Sequence, residues 1–244
     1  MNFKDCIKEY ETSLTPEFCQ AVIDRFNSDD RTAKGETGIG HNSTVKQSTD
    51  LFISDLDDWK EEDGVFYDAI TEYIQDYHEF MNSISGSYSL TEPITDAGYQ
   101  IQQTKPGQYY HWHQDGCQSY FDDMQLLNSA GARQMHIRHR IYTYIVYLND
   151  RIGVEDGRTQ FSFGDDIISI EPKAGKLLMF PANELYTHRG ETLTTGEKYL
   201  MTGWISVPAT AGFVNASDDD RANWQRILNE PGMKVLTDQS QTLN

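Results

Sequence analysis

The sequence is short of thiols, of long apolar runs and of positive charge. Its three cysteines, Cys6, Cys19 and Cys117, are odd in number and scattered. They describe no disulfide framework, so a reducing cytoplasm is the expected setting. No apolar run approaches the roughly 20 residues of a membrane-spanning helix. The opening residues, MNFKDCIKEYE, are charged and hold no apolar signal stretch, which favours the same setting. Lys and Arg number 20 against 38 Asp and Glu, a formal net charge of −18. Such a surface repels phosphate backbones and anionic lipid, so neither nucleic acid nor a membrane is an expected partner. The acid serves solubility on the plain reading, and a preference for basic protein or peptide on the sharper one. Internal repeats are also lacking.

What is present belongs to a globular chain. The length of 244 residues suits one large domain or two small ones, with 38% hydrophobic and 12% aromatic residues to form a core. Thr15, Pro16 and Glu17 open a helix as cap, first-turn proline and dipole partner, and Cys19, Val22, Ile23 and Phe26 make its apolar side. Residues 29–48 are polar, carry Gly35, Gly38 and Gly40, and read as a surface loop. A second helix is expected from about Glu62 to Met81, where apolar residues such as Phe66, Ile70, Tyr73, Ile74 and Tyr77 recur at three and four. His78 falls on its polar side and reads as solvated. From about Gly98 to Pro208, short segments rich in β-branched and aromatic residues alternate with Gly, Pro, Asn and Asp, so a sandwich or barrel is expected. The stretch SDDDRANWQRILNEPG reads as a last helix, capped by Ser217 and stopped by Pro231 and Gly232. The expected organisation is one compact unit: strand and helices over 1–94, an all-β body over 95–208, and a helix and tail over 209–244.

Within the β region, YYHWHQDG holds His111, His113 and Asp115 two residues apart from one another. On an extended strand that spacing puts all three on one face. Two of them, with a ligand from elsewhere, suffice for a divalent metal as well as all three do. His188 is available in FPANELYTHRG, and His113, Asp115 and His188 together would form a two-histidine, one-carboxylate face with open positions, which suits non-haem Fe(II). Lys198 follows His188 by ten residues on the next strand and can pair with an anion inside a barrel. Fe(II) and Lys198 would balance Asp115 and a dicarboxylate, which avoids burying unpaired charge.

This ordered set resembles the Fe(II)/2-oxoglutarate dioxygenase superfamily, in its prolyl 4-hydroxylase-like branch. The match is a His-x-Asp at His113-Gln114-Asp115, a distal His188, and Lys198 ten residues on. Flanking words agree: KPGQYYHWHQD, YTYIVYLND, DGRTQF, EPKAGKLLMFP and LTPEFCQAVI, together spanning roughly residues 10 to 206. The resemblance implies a mostly β fold with flanking helices around a double-stranded β-helix core of the jelly-roll or cupin kind. It implies metal ligation by His113, Asp115 and His188, and 2-oxoglutarate held by Lys198 with Thr143 as a helper. It also implies O2 as co-reactant, ascorbate as a supporting reductant, and release of succinate and CO2 as a C–H bond is hydroxylated. Tyr110 and Trp204 match aromatic positions beside the family's peptide site, and Arg140 ends a stretch, from Gly116, that in the family covers the substrate. A peptide or protein substrate follows; the oligomeric state does not.

Two departures qualify the likeness. The family's tyrosine nine residues before the proximal histidine is replaced by Thr104, and the covering stretch is long, with Arg133, Arg138 and Arg140. The presence of Asp115 separates the chain from related halogenases. His111 is expected to be structural or to support a ligand, His136 and His139 to lie on a sheet surface or loop, and Arg189 to be a salt-bridged surface residue. Two other readings stay open: the same chemistry on a free amino acid or other small molecule, and a barrel that binds a metal or ligand without catalysis.

Overall fold

The structure, a computed structural model, describes residues 2–37, 41–85, 94–116, 138–154 and 156–208. The expected C-terminal helix, Cys117, Arg133 and His136 lie outside the described residues, as do the side chains of Arg138 and His139. In chain order the elements are β1 (Lys8–Glu11), α1 (Pro16–Ser28), β2 (Ala33–Lys34), β3 (Thr49–Phe52), α2 (Lys60–Ser85), β4 (Thr95–Asp96), β5 (Gln100–Thr104), β6 (Tyr110–His113), β7 (Arg138–Tyr147), β8 (Thr159–Phe163), β9 (Asp166–Ile170), β10 (Lys176–Pro181), β11 (His188–Gly190) and β12 (Lys198–Pro208).

Both helices form where the pattern expects them. The Thr15 hydroxyl accepts a hydrogen bond from the Phe18 amide at 3.2 Å, so α1 starts at Pro16. Its stripe of Cys19, Val22, Ile23 and Phe26 is buried. α2 is longer at both ends than Glu62 to Met81, and Glu61, Glu62 and Asp63 complement its N-terminal dipole. His78 departs from the solvated reading: its Nδ1 lies 3.0 Å from the Tyr142 hydroxyl, on the helix flank that meets the sheet.

The surface-loop reading of residues 29–48 is corrected. Ala33 and Lys34 pair with Asp50 and Thr49, Lys46 bridges to Tyr110, and Lys46 and Ser48 are buried. Polar composition hid this, because Lys46 is buried only by virtue of Asp50, whose carboxylate lies 2.6 Å from the ammonium.

The strands form two antiparallel sheets. The larger runs β1-β10-β7-β12-β5-β3-β2, with β4 also beside β12, and the smaller runs β6-β11-β8-β9. From β5 to β12 the chain divides its strands between the two sheets, β5, β7, β10 and β12 in one and β6, β8, β9 and β11 in the other. This is the double-stranded β-helix. Strand alternation gives the larger sheet two distinct faces. Tyr142, Tyr144, Val146, Tyr199, Met201 and Ile205 join the core with α1 and α2. Ile145, Tyr147 and Leu200 face inward, where Phe161, Leu178 and Phe180 share their cluster. At Gly203 the space for a Cβ is filled by the Tyr144 hydroxyl and the Gly98 carbonyl, so β12 tolerates only glycine there.

Candidate active site

A cavity of about 890 Å³ opens between the sheets. On β12, alternate residues Lys198, Leu200, Thr202, Trp204 and Ser206 line it, a row that the two-residue period puts on one face. His113 at the end of β6, Asp115 just beyond it, and His188 at the start of β11 meet on the opposite side. His113 and His188 are cross-strand partners.

The three side chains offer ligand atoms all within 4.8 Å of one another. Each histidine Nε2 lies 3.7 Å from an Asp115 oxygen. The remaining ring nitrogens are occupied. His113 Nδ1 is 2.8 Å from the His111 carbonyl, and His188 Nδ1 is 3.0 Å from the Tyr186 carbonyl. A carbonyl only accepts, so both Nδ1 atoms carry a proton and both Nε2 atoms are left facing Asp115. Burial first, then His188 beside it, lowers the His113 pKa, which keeps the ring neutral as a metal ligand must be. Burial pushes Asp115 up, but His188, His113, the Thr143 hydroxyl and Arg140 outweigh it, and the carboxyl stays below its usual range. Thr143 Oγ1 donates to Asp115 Oδ2 at 2.6 Å. Two imidazoles and one carboxylate with their outer bonds satisfied fit a divalent transition metal such as Fe(II).

Packing fixes the candidate ligands. Tyr110 stacks on His113 with centroids 3.5 Å apart, while Phe161 and Phe180 flank His188 at 5.6 and 4.7 Å. His111 stands outside the candidate ligand group, exposed and tilted against Tyr109, and contributes its carbonyl.

Lys198 is buried at the other end of the row. Its Nζ donates to the Gly157 carbonyl at 3.0 Å. Beside it, Arg151 pairs with Asp156, and Asp156 accepts the Thr194 amide at 2.6 Å, which pins the loops on either side of the lysine. Burial, and secondarily the Arg151 guanidinium, push the Lys198 ammonium down to about 8. Thr104, where the family carries tyrosine, is the cross-strand partner of Lys198 and also lines the cavity.

All eight side chains singled out by sequence, His113, Asp115, His188, Lys198, Thr143, Tyr110, Trp204 and Arg140, border this one cavity. Arg140 lies with its guanidinium 3.6 Å above the Trp204 ring. Among the described residues Arg189 has no salt bridge. Its Nε donates to Gln160 at 2.8 Å and its guanidinium lies over Trp112, because no described carboxylate is placed beside it. Sequence reasoning missed Thr159, Lys46, Gln100 and Gln102 on the cavity wall. The glutamines were legible in principle, since they alternate with the buried Ile101 along β5.

Comparison with known proteins agrees with this geometry. Residues 99–206 match the family model described as the 2OG-Fe(II) oxygenase superfamily. No curated protein sequence matches the chain. Among solved structures, a Pseudomonas putida prolyl-4-hydroxylase superposes with a TM-score of 0.55 at 16% identity, over 82% of this chain and 91% of that one. A Trichoplax adhaerens prolyl hydroxylase, in complex with a hypoxia inducible factor oxygen degradation domain peptide fragment, gives 0.57 at 14% identity, over 87% and 88%. The viral collagen prolyl hydroxylase of Paramecium bursaria Chlorella virus-1 gives 0.50 at 20% identity, over 83% and 90%. At such identities the likeness establishes the fold. The matched residues, 99–206, are the strand-rich body that carries the triad, so sequence and fold both liken this part of the chain to the 2OG-Fe(II) oxygenase superfamily.

Proposed function

We propose that the chain is an Fe(II)- and 2-oxoglutarate-dependent oxygenase that hydroxylates a C–H bond of a peptide or protein, in the first instance at a prolyl residue. The observation that carries this reading is the meeting of three pre-oriented ligand atoms and a buried lysine in one cavity. In this reading His113, Asp115 and His188 hold the ion, and the family implies 2-oxoglutarate and O2 as its partners. When bound, the metal supplies with them the oxidation that yields succinate, CO2 and a hydroxylated carbon. The chain binds, orients and encloses. Lys198 pairs with the far carboxylate of the cosubstrate, and Thr143 keeps Asp115 ionised and aimed. Tyr110, Trp204 and Arg140 border the substrate. Ascorbate serves as supporting reductant. Residues 1–244 act as one catalytic unit, in the reducing cytoplasm that the free thiols of Cys6 and Cys19 suit.

A second reading keeps the chemistry and changes the substrate to a free amino acid or other small molecule. The cavity volume favours it, being within the range of small-ligand sites. The test is succinate production from 2-oxoglutarate with Fe(II), O2 and ascorbate, with and without proline-rich peptides. Peptide-stimulated succinate and a peptide heavier by one oxygen are expected. Slow succinate that only small molecules stimulate moves the substrate to the second reading. No succinate with a metal-loaded protein overturns both.

A further inference from the structure

Along the cavity wall, four side chains form a hydrogen-bonded chain that the proposed chemistry does not use. It begins at the buried ion pair of Lys46 and Asp50, which are 3% and 6% exposed. Asp50 Oδ2 accepts from Lys46 Nζ at 2.6 Å and from Gln100 Nε2 at 3.2 Å, while Ser48 holds Oδ1 at 2.7 Å. Gln100 Oε1 in turn accepts from Gln102 Nε2 at 3.1 Å. Lys46, Gln100 and Gln102 all border the cavity.

The direction of this chain is fixed chemically. An ionised Asp50 only accepts, so it must face the amide nitrogen of Gln100. That turns the Gln100 carbonyl toward the Gln102 nitrogen. Gln102 Oε1 is then the terminus, and it has no hydrogen-bond partner among the described residues. Each bond polarises the next, so the anionic origin makes this last oxygen a stronger acceptor. The cosubstrate cannot be what it receives, since 2-oxoglutarate at neutral pH carries acceptors and no donor. The site lies between two landmarks of the larger sheet. Gln102 pairs with Leu200, one row from Lys198 toward Trp204, and Trp204 pairs with Thr143, which holds Asp115.

We propose that Gln102 is a specificity residue that accepts a hydrogen bond from an N–H group of the substrate, close to the carbon that reacts. The assignment rests on the oxygenase reading and narrows its substrate. The ring nitrogen of an internal prolyl residue carries no hydrogen and does not serve. The N–H belongs either to an ammonium, as in a free or N-terminal amino acid or a lysyl side chain, or to a neighbouring peptide amide. The exposed acids Glu36 and Asp55 at the same cavity suit the ammonium source.

The test uses paired probes with the protein loaded with Mn(II) and 2-oxoglutarate, read by titration calorimetry. One set pairs secondary amino acids, L-proline and L-pipecolic acid, with their N-acetyl forms, which carry no N–H. The other comprises short alanine and proline peptides with each amide either N–H or N-methyl. The expected result is about tenfold tighter binding of the donor-bearing member of a pair. Gln102→Leu removes that difference and Gln102→Glu keeps it, with the ammonium probes gaining most. Preference for free over acetylated amino acids assigns the ammonium source; preference for N–H over N-methyl peptides assigns the amide. Equal behaviour of paired probes, whether equal binding or none, overturns the inference, as does a donor preference that survives Gln102→Leu. Failure of the wild-type protein to bind 2-oxoglutarate at all strikes the oxygenase reading instead, and is read separately in the same titration.

Discussion

His113 and His188, the proposed ligand histidines, owe their readiness to two backbone carbonyls. Because the His111 and Tyr186 carbonyls hold the Nδ1 protons, each ring presents Nε2 without choosing between tautomers. His113→Ala, Asp115→Ala and His188→Ala are therefore expected to abolish turnover and Fe(II) retention, measured by metal content after gel filtration. Thr143→Val leaves all three ligands but frees Asp115, and is expected to weaken metal binding about tenfold or more. Lys198 gives a pH signature. Burial and Arg151, opposed by Glu191 and Asp156, hold its ammonium at about 8. Below that pH the lysine is charged and can bind a carboxylate; above it the proton is lost. Affinity for 2-oxoglutarate is expected to be flat below about pH 7 and to fall as pH rises through 8, approaching tenfold per unit, by calorimetry. Lys198→Arg should abolish the fall, since guanidinium does not titrate there.

At the scale of elements, β12 carries much of the design. One face supports the helices and the other supplies the cavity row from Lys198 to Ser206. Gly203 is where these demands meet, and Gly203→Ala is expected to cost at least about 2 kcal/mol of unfolding free energy in urea, because the Tyr144 hydroxyl and Gly98 carbonyl must both move. Periodicity made these elements readable beforehand. The stripe of α1, the heptad-like spacing of α2 and the alternation in YTYIVYLND each report a buried face. The same logic failed at residues 29–48, where the buried side chains are Lys46 and Ser48, set against Asp50 on the next strand. Pattern reading scores apolar residues, so a wall made of compensated charge looks like a loop. It failed in smaller ways at His78 and Arg189, whose partners, Tyr142 and Gln160, are distant in sequence and neutral. The triad was legible because its spacing is local at His113 and Asp115 and because the motif order reached His188 and Lys198. The polar floor of Gln100 and Gln102 was not, since no motif marks it.

At the scale of the whole molecule, the acidic surface and the closed core set how ligands report on the fold. The formal net charge is −18, so divalent ions are drawn toward the chain at low salt. Mn(II) and 2-oxoglutarate together, at a hundredfold excess over their dissociation constants, are expected to add about 2.7 kcal/mol per independent site. For a chain of this size each such site raises Tm by roughly 5–10 °C, by differential scanning calorimetry. A chelator should return Tm to its starting value, whereas His188→Ala should show no rise.

The hydrogen bond from Thr143 to Asp115 also has a kinetic meaning. It joins a residue that follows the smaller sheet to a strand of the larger one, so a protein contact ties one candidate ligand to the frame. Little conformational entropy is then left for an ion to remove on arrival. Capture should run at the rate at which a hydrated cation sheds water, and iron should come and go without the chain unfolding, so that the protein can be emptied and refilled through many cycles while its barrel stays shut.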